Sequence, residues 1–347
     1  MKNSRWLGCM VGLMVIFVGG CTTSGAAAPA TWTEPAPVPA CVQGEESLDD
    51  RWISWSGDEQ VLSATVSNGR AAIAGAGGRV GLWSIESGGP ELDEFLSTDL
   101  AAYGGGPECA VAFSVAGDRV VFAEGAGDVV LRDGEGSEIA RLPGDTGLPA
   151  ADVALSDDGA LVAIAGFGEG VRIWSPDTSE VVEAPDRFSA RDLAFVAGGH
   201  DLVVGGWTFE GWAAVDAVEL WSAADGWARR AGWSVGDVRK IAVVGAETVV
   251  AASRGAVARI DLTDGEGGAV LTDVAWHDPV AIAASPDGTS FATVGAEGTV
   301  RTFSIATMTE RSRRDLALQV AVEWDPSGDG LHVVGRDGLI RSLGCAE

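Results

Sequence analysis

Between Val153 and Thr178 the chain reads VALSDDGALVAIAGFGEGVRIWSPDT: an apolar run, a polar turn, a second apolar run, a glycine-rich break and a third run ending near Trp174. Short runs rich in Val, Ile, Ala and Leu, punctuated by Asp-Gly and Gly-rich breaks, predict strands and hairpins and give no helical period. The pattern recurs six more times. It appears as VLSATVSNGRAAIAGAGGRVGLWSIES near the start of the folded region, as AIAASPDGTSFATVGAEGTVRTFSIAT in the sixth copy and as VAVEWDPSGDGLHVVGRDGLIRSLG in the seventh. Taking the first hairpin turn of each copy as anchor gives Gly69, Gly117, Gly159, Gly199, Ala246, Gly288 and Gly328, spaced by 48, 42, 40, 47, 42 and 40 residues. A period of this length holds four short strands and their turns, so the repeat is an architectural unit and the fold class is all-β. Asn68-Gly69, Asp158-Gly159 and Asp287-Gly288 are strong hairpin signals because glycine reaches positive φ at little steric cost.

The residues that repeat resemble those of the WD40 family: SPDG at Ser285 to Gly288, SDDG at Ser156 to Gly159, and third strands ending at Trp83, Trp174 and Trp221. The chain departs from the family pattern in two respects, since no third strand ends in Trp-Asp and the Gly-His pair before the first strand is missing. The resemblance spans about 300 residues and implies a seven-bladed β-propeller of four-stranded antiparallel blades over residues 47–347. Copy seven supplies only three strands. The resemblance therefore implies that an N-terminal strand, Arg51 to Ser56, completes the last blade and closes the ring, which removes the exposed sheet edge of an open one. Closure of this kind brings the region before that strand near the C-terminus, where Cys41 and Cys345 could form a disulfide.

Composition changes the picture at the N-terminus. Lys2 and Arg5 precede an apolar run from Trp6 to Val18, followed by Val18-Gly19-Gly20-Cys21, the layout of an export signal. The four residues ending at Cys21 resemble the lipobox of bacterial lipoproteins, which implies cleavage after residue 20 and diacylglycerol on Cys21. Residues 21–46, rich in Ala, Pro and Thr, read as a tether. The expected location is the outer face of a bacterial cytoplasmic membrane, or an outer membrane where the cell has one. Loss of Lys2 and Arg5 leaves 21 basic and 50 acidic residues, a formal charge of 21 − 50 = −29. Such a surface repels phosphate backbones, so nucleic acid is not an expected partner.

Catalytic chemistry has little to stand on. Gly232-Trp233-Ser234-Val235-Gly236 matches the GxSxG elbow, but no helical pattern follows it, and a chance match is the favoured reading. The three histidines, His200, His277 and His332, are far apart in sequence, with no HExxH spacing. Asp152, Asp192 and Asp278 lie where strands begin and offer hard oxygen ligands to calcium in a central channel, a possibility ranked below ordinary turn chemistry.

Binding chemistry is better represented. The fourth copy carries the longest break between second and third strands, VGGWTFEGWAAVDAVELW, and Trp207, Phe209 and Trp212 there either extend as a loop past the ring and anchor a partner or fold back on Trp227 and Trp233 as a satellite core. Two basic groups, Arg229, Arg230, Arg239 and Lys240, and then Arg311, Arg313 and Arg314, are expected around outer strands, facing water. The expectation is a lipid-anchored propeller scaffold that binds an envelope protein through Trp207, Phe209, Trp212, Arg239, Lys240 and Asp278, with no cofactor. The alternatives are a propeller enzyme, lactonase-like or another hydrolase, and a small-ligand sensing module.

Overall fold

A computed structural model describes residues 49–52, 61–67, 69–75, 79–85, 90–95, 110–114, 117–123, 128–144, 150–166, 170–183, 188–210, 213–263, 270–273, 278–316 and 318–344. Side chains at 49–52, 79, 90–95, 208–210, 213–217 and 270–273 are not among those described. Cys21, Cys41, Cys345, Trp212 and His277 lie outside the described residues, as do the expected signal and tether, and Phe209 is described only in its backbone. The strands all belong to one compact unit, Val38–Glu347.

Among the described residues, twenty-eight strands form seven four-stranded antiparallel sheets. Strand β1 (Asp49–Trp52) precedes blade 1, which is β2 (Val61–Ser67), β3 (Arg70–Gly75), β4 (Arg79–Ser84) and β5 (Pro90–Phe95). Blade 2 is β6 (Ala110–Phe113), β7 (Arg119–Ala123), β8 (Val129–Asp133) and β9 (Glu138–Leu142). Blade 3 is β10 (Ala150–Leu155), β11 (Val162–Gly166), β12 (Gly170–Ser175) and β13 (Glu180–Glu183). Blade 4 is β14 (Phe188–Phe195), β15 (Leu202–Glu210), β16 (Ala213–Ser222) and β17 (Ala228–Trp233). Blade 5 is β18 (Val238–Val244), β19 (Thr248–Ser253), β20 (Ala256–Asp261) and β21 (Val270–Asp273). Blade 6 is β22 (Pro279–Ala284), β23 (Ser290–Gly295), β24 (Thr299–Ser304) and β25 (Glu310–Asp315). Blade 7 is β26 (Gln319–Trp324), β27 (Gly330–Gly335), β28 (Leu339–Gly344) and, as its outer strand, β1.

The ring closes as the repeat count requires, with a shift in the closing segment. Strand β1 begins at Asp49, two residues before the expected strand, and pairs Arg51 with Ile340 and Trp52 with Leu339. Residues 53–56 of the expected strand are outside the described residues. Pairing with β28 fixes the register, and that pairing was invisible to an apolar pattern read from Arg51 onward.

Local chemistry explains the turns. In the third blade the Ser156 hydroxyl donates to Asp158 Oδ1 at 2.7 Å and accepts from the Leu161 N–H at 3.0 Å. Gly159, with φ of 66°, then lets the chain reverse. Ser285, Asp287 and Ser290 repeat the arrangement in the sixth blade. In the fourth and fifth blades the positive φ falls on Gly198 and Gly245, one residue before the expected Gly199 and Ala246.

The hydrophobic core lies between the blades. Seven buried clusters each combine residues of two neighbouring blades, and one joins Val61, Ile73 and Trp83 of blade 1 to Ala321, Val334 and Ile340 of blade 7. Trp83, Trp174 and Trp221, the repeated third-strand tryptophans, are all buried in these seams. Trp227 packs in the cluster between blades 3 and 4 and Trp233 in that between blades 4 and 5. Long side chains on one face add cross-blade bonds: Arg119 donates to the Gly159 carbonyl at 2.9 Å, and Arg259 to the carbonyls of Ile305 and Ala306 at 3.1 Å.

Candidate functional site: the central channel and its mouth

The inner strands β2, β6, β10, β14, β18, β22 and β26 surround a cavity of ≈ 790 Å³. Six of these strands carry an irregularity at the same register, between Val61 and Ser63, Ala150 and Asp152, Ala190 and Asp192, Val238 and Lys240, Pro279 and Ala281, and Gln319 and Ala321. A bulge inserts one extra residue and re-aims the side chains beside it. In blades 4 and 5 the extra residues are Arg191 and Arg239. The residues just past the bulge are charged in three consecutive blades, as Asp152, Asp192 and Lys240.

These three form a layer at one side of the channel, with Asp192 buried and Asp152 and Lys240 half-buried. Lys240 Nζ donates to Asp192 Oδ1 at 2.5 Å, and the Ile241 N–H donates to Asp192 Oδ2 at 2.6 Å. The Leu193 N–H donates to Asp152 Oδ2 at 2.8 Å. Each carboxylate thus caps a backbone N–H of the next blade and ties blades 3, 4 and 5 together. Burial, reinforced by the charge of Asp192, pushes the Asp152 carboxyl up to about 8. Burial also raises Asp192, against the pull of Lys240 and the hydrogen bond from Asp152. Lys240 is disfavoured as a cation by burial, but the two aspartates outweigh this and hold it charged. Burial thus opposes a charge on both carboxyls, while Lys240 favours the anionic form of Asp192, the one it bonds.

One residue toward the mouth lies a second charged group. Arg191 ion-pairs with Asp237, donates to the Val238 carbonyl at 3.1 Å, and stacks over Trp207 with its guanidinium carbon 4.3 Å from the ring centroid. Arg239 reaches Asp237 Oδ2 at 2.8 Å and Asp278 Oδ1 at 3.4 Å; Arg254 reaches Asp237 Oδ2 at 3.5 Å and Asp278 Oδ2 at 3.3 Å. Three guanidinium groups thus face two carboxylates, with an indole beside them. Burial works against ionisation of Asp237, yet its bonds to Arg191 and Arg239 hold its carboxyl below the usual range.

Several expectations are corrected here. Trp207 and Phe209 are not in a loop: β15 and β16 are nine and ten residues long and pair up to Glu210 and Ala213. The apparent gap is an extended hairpin, because Trp207 and Thr208 suit a pleated strand. Gly206 lets the hairpin pack, since a Cβ there would collide with the Ser189 carbonyl oxygen. Arg239 and Lys240 lie on the inner strand β18, not around an outer one, while Arg229 and Arg230 do occupy the outer strand β17. Four of the residues expected to bind a partner, Trp207, Arg239, Lys240 and Asp278, line the same cavity.

The other candidate chemistry disperses. Ser234 of the GxSxG match follows the end of β17 and is exposed, with no helix after it. His200 faces Asp158 at 3.0 Å, and His332 meets Ser342 at 2.9 Å, on separate blades. Asp152 and Asp192 stand together, but Lys240 already supplies a cation to Asp192, and Asp278 is engaged by arginines. Among the described residues no group of three His, Cys, Asp or Glu side chains could hold a metal ion.

The architecture has a close structural parallel. The chain is similar to the crystal structure of the β-propeller domain of Cps50 (Swd1) from Myceliophteria thermophila, with a TM-score of 0.67 and 14% sequence identity, over 83% of this chain and 97% of that one. The fold is that of a WD40-like β-propeller. No protein-family profile matches the sequence, and no curated protein matches it. The WD40-like ring supplies rigid inner strands, and the chemistry above is what this chain places on them.

Proposed function

We propose that this chain is a lipid-anchored cell-envelope scaffold whose WD40-like propeller binds a protein partner at the channel mouth, without catalysis. The observation that carries the reading is the cluster of Arg254 and the strand residues Trp207, Arg191 and Arg239 around Asp237 and Asp278. Its excess of guanidinium groups suits a partner segment bearing carboxylates, and its indole offers an apolar anchor. On a chain whose formal charge is −27, a local cationic spot directs an acidic segment to one place while the surrounding surface repels misplaced contacts. Lipid on Cys21 would hold this mouth within reach of envelope proteins through the Ala- and Pro-rich tether.

Two measurements on the full lipidated chain in intact cells test the proposal. Cys21→Ser is expected to abolish the lipid-dependent mass increase and release the chain from membranes; retention in membranes would overturn the anchor. A photo-crosslinker at Trp207 is expected to capture one protein that a crosslinker at Ser327, in a turn at the opposite end of the channel, does not. Arg254→Glu should reduce that capture by about tenfold, and raised salt should reduce it further. Equal capture from both ends, or capture indifferent to Arg254→Glu, would sink the docking reading.

A further inference from the structure

Deeper in the channel, the wall changes character. Two residues past the bulge, roughly 6.6 Å along the strand from the Asp/Lys layer, the equivalent positions are Thr65, Ala112, Ala154, Ala194, Ala242 and Ala283 in blades 1 to 6. Blade 7 places Glu323 there, opposite His332 in the β26–β27 register. Of these, Thr65, Ala112, Ala154 and Ala194 line the cavity, and Glu323 is the one long side chain of the layer. It lines the cavity together with Leu62, Phe113 and Val322.

Glu323 has no assigned counter-ion. Among the described residues no side chain hydrogen-bonds or ion-pairs with it. The elements packed against β26 offer none: β2, β22 and β23 carry no ionisable side chain, and on β27 the only one, His332, is engaged by Ser342 at 2.9 Å and Asp325 at 3.4 Å. The charged groups elsewhere on the cavity wall have partners of their own: Asp152, Asp192 and Lys240 in their layer, Arg191, Arg239 and Asp278 at the mouth, and Asp157, whose Oδ2 accepts from the Gly198 N–H at 2.7 Å. Burial, opposed only by the Trp324 backbone N–H, pushes the Glu323 carboxyl up to about 8. A lone acid in an alanine-walled space is a poor structural element, since alanine or leucine would pack the seam without desolvating a carboxyl. It is a good receptor for a cation.

We infer that the channel is a binding site for a small aliphatic ammonium ion, its charged head paired with Glu323 and its alkyl chain against the alanine-lined wall. The ligand keeps its three N–H protons. The proton that leaves is that of the Glu323 carboxyl, which passes to solvent as the carboxylate forms. Binding of one ammonium ion thus releases up to one proton at neutral pH and strengthens as pH rises toward 8. This site lies below the mouth and does not depend on protein docking there.

The test uses the full chain and n-hexylamine as probe, with hexanoate and hexanol as controls, in isothermal titration calorimetry. Repeating the titration in phosphate and Tris, whose ionisation heats differ, measures proton release directly. Wild type is expected to bind hexylammonium with nearly one proton released at pH 7, and its Kd should fall by about tenfold per pH unit between pH 6 and 7.5. Glu323→Gln should bind at least about thirtyfold more weakly, with no pH dependence. Because glutamine imitates the neutral acid, its thermal midpoint at pH 6 should match wild type, which separates lost binding from lost folding. The inference fails if Glu323→Gln binds like wild type, if hexanoate or hexanol binds as well as hexylammonium, or if wild type shows no heat of binding up to about 10 mM.

Discussion

Lys240→Met is expected to lower the unfolding free energy by about 3 kcal/mol at pH 7, the scale of breaking a buried ion pair from one side. The methionine keeps most of the side-chain volume, so the loss reports charge and not a cavity. Asp192 would be left with the Ile241 N–H and Asp152 as its only partners, in a position where its carboxylate is buried. Its escape is to take up a proton. The deficit should therefore shrink as pH falls to 5, and Asp192→Asn placed on top of Lys240→Met should recover much of it. The exposed pair Arg230–Asp201, at 2.9 Å, provides the contrast: Arg230→Ala should change stability by less than about 0.5 kcal/mol. Urea denaturation of the three variants checks this. A Lys240→Met deficit no larger than that of Arg230→Ala would mean that the layer between blades 3, 4 and 5 is solvated and holds nothing together.

Such a layer was only partly legible in the sequence. The repeats fixed blade number because turn chemistry is local: Ser156, Asp158 and Gly159 make the same bonds wherever they occur, so spacing alone reveals them. The bulges have no such signature. Nothing in Arg191 or Arg239 announces that each is an inserted residue re-aimed at a channel mouth, and Arg239 and Lys240 read as a basic cluster beside Arg229 and Arg230. What separates them is a strand change at Ser234 to Asp237, where β17 ends on the outside of one blade and β18 begins on the inside of the next. The extended hairpin of blade 4 failed to read as strand because glycines at 205 and 206 look like a break. Gly206 serves the close approach of β14 to β15 instead, and Gly205 leaves room for Val238 and Ile241 of β18. Glu323 sat in a run, VAVEWD, whose alternation normally marks a half-exposed strand. On the innermost strand of a ring there is no solvent-facing side, so the same alternation marks a channel wall.

That position of Glu323 has a consequence for stability that runs opposite to ordinary carboxylates. An acid whose carboxyl is raised in the folded chain contributes stability fully present below its unfolded value and lost as pH rises through the folded one. For Glu323 the window runs from its ordinary 4.5 to about 8, and for Asp152 from 3.8 to about 8. Each should remove on the order of 2 kcal/mol across its window, less than the full shift implies because the channel admits water. Asp158 and Asp237 pull the other way. Asp158 is held down to about 2, first by the Ala160 N–H, and Asp237 is lowered by its arginines in spite of burial; both weaken the fold only as pH falls below their ordinary range. Stability should therefore peak in mildly acidic solution and decline from pH 5 to pH 9. In the double variant Asp152→Asn/Glu323→Gln, asparagine can still accept from the Leu193 N–H and donate to Asp192, and both channel acids become neutral at every pH. It should match wild type at pH 5 and exceed it by about 4 kcal/mol at pH 9. Denaturant midpoints at pH 5, 7 and 9 decide the matter: a wild type as stable at pH 9 as at pH 5 would show that both acids ionise freely in the folded chain, and would remove the desolvated carboxyl on which ammonium recognition in the channel depends.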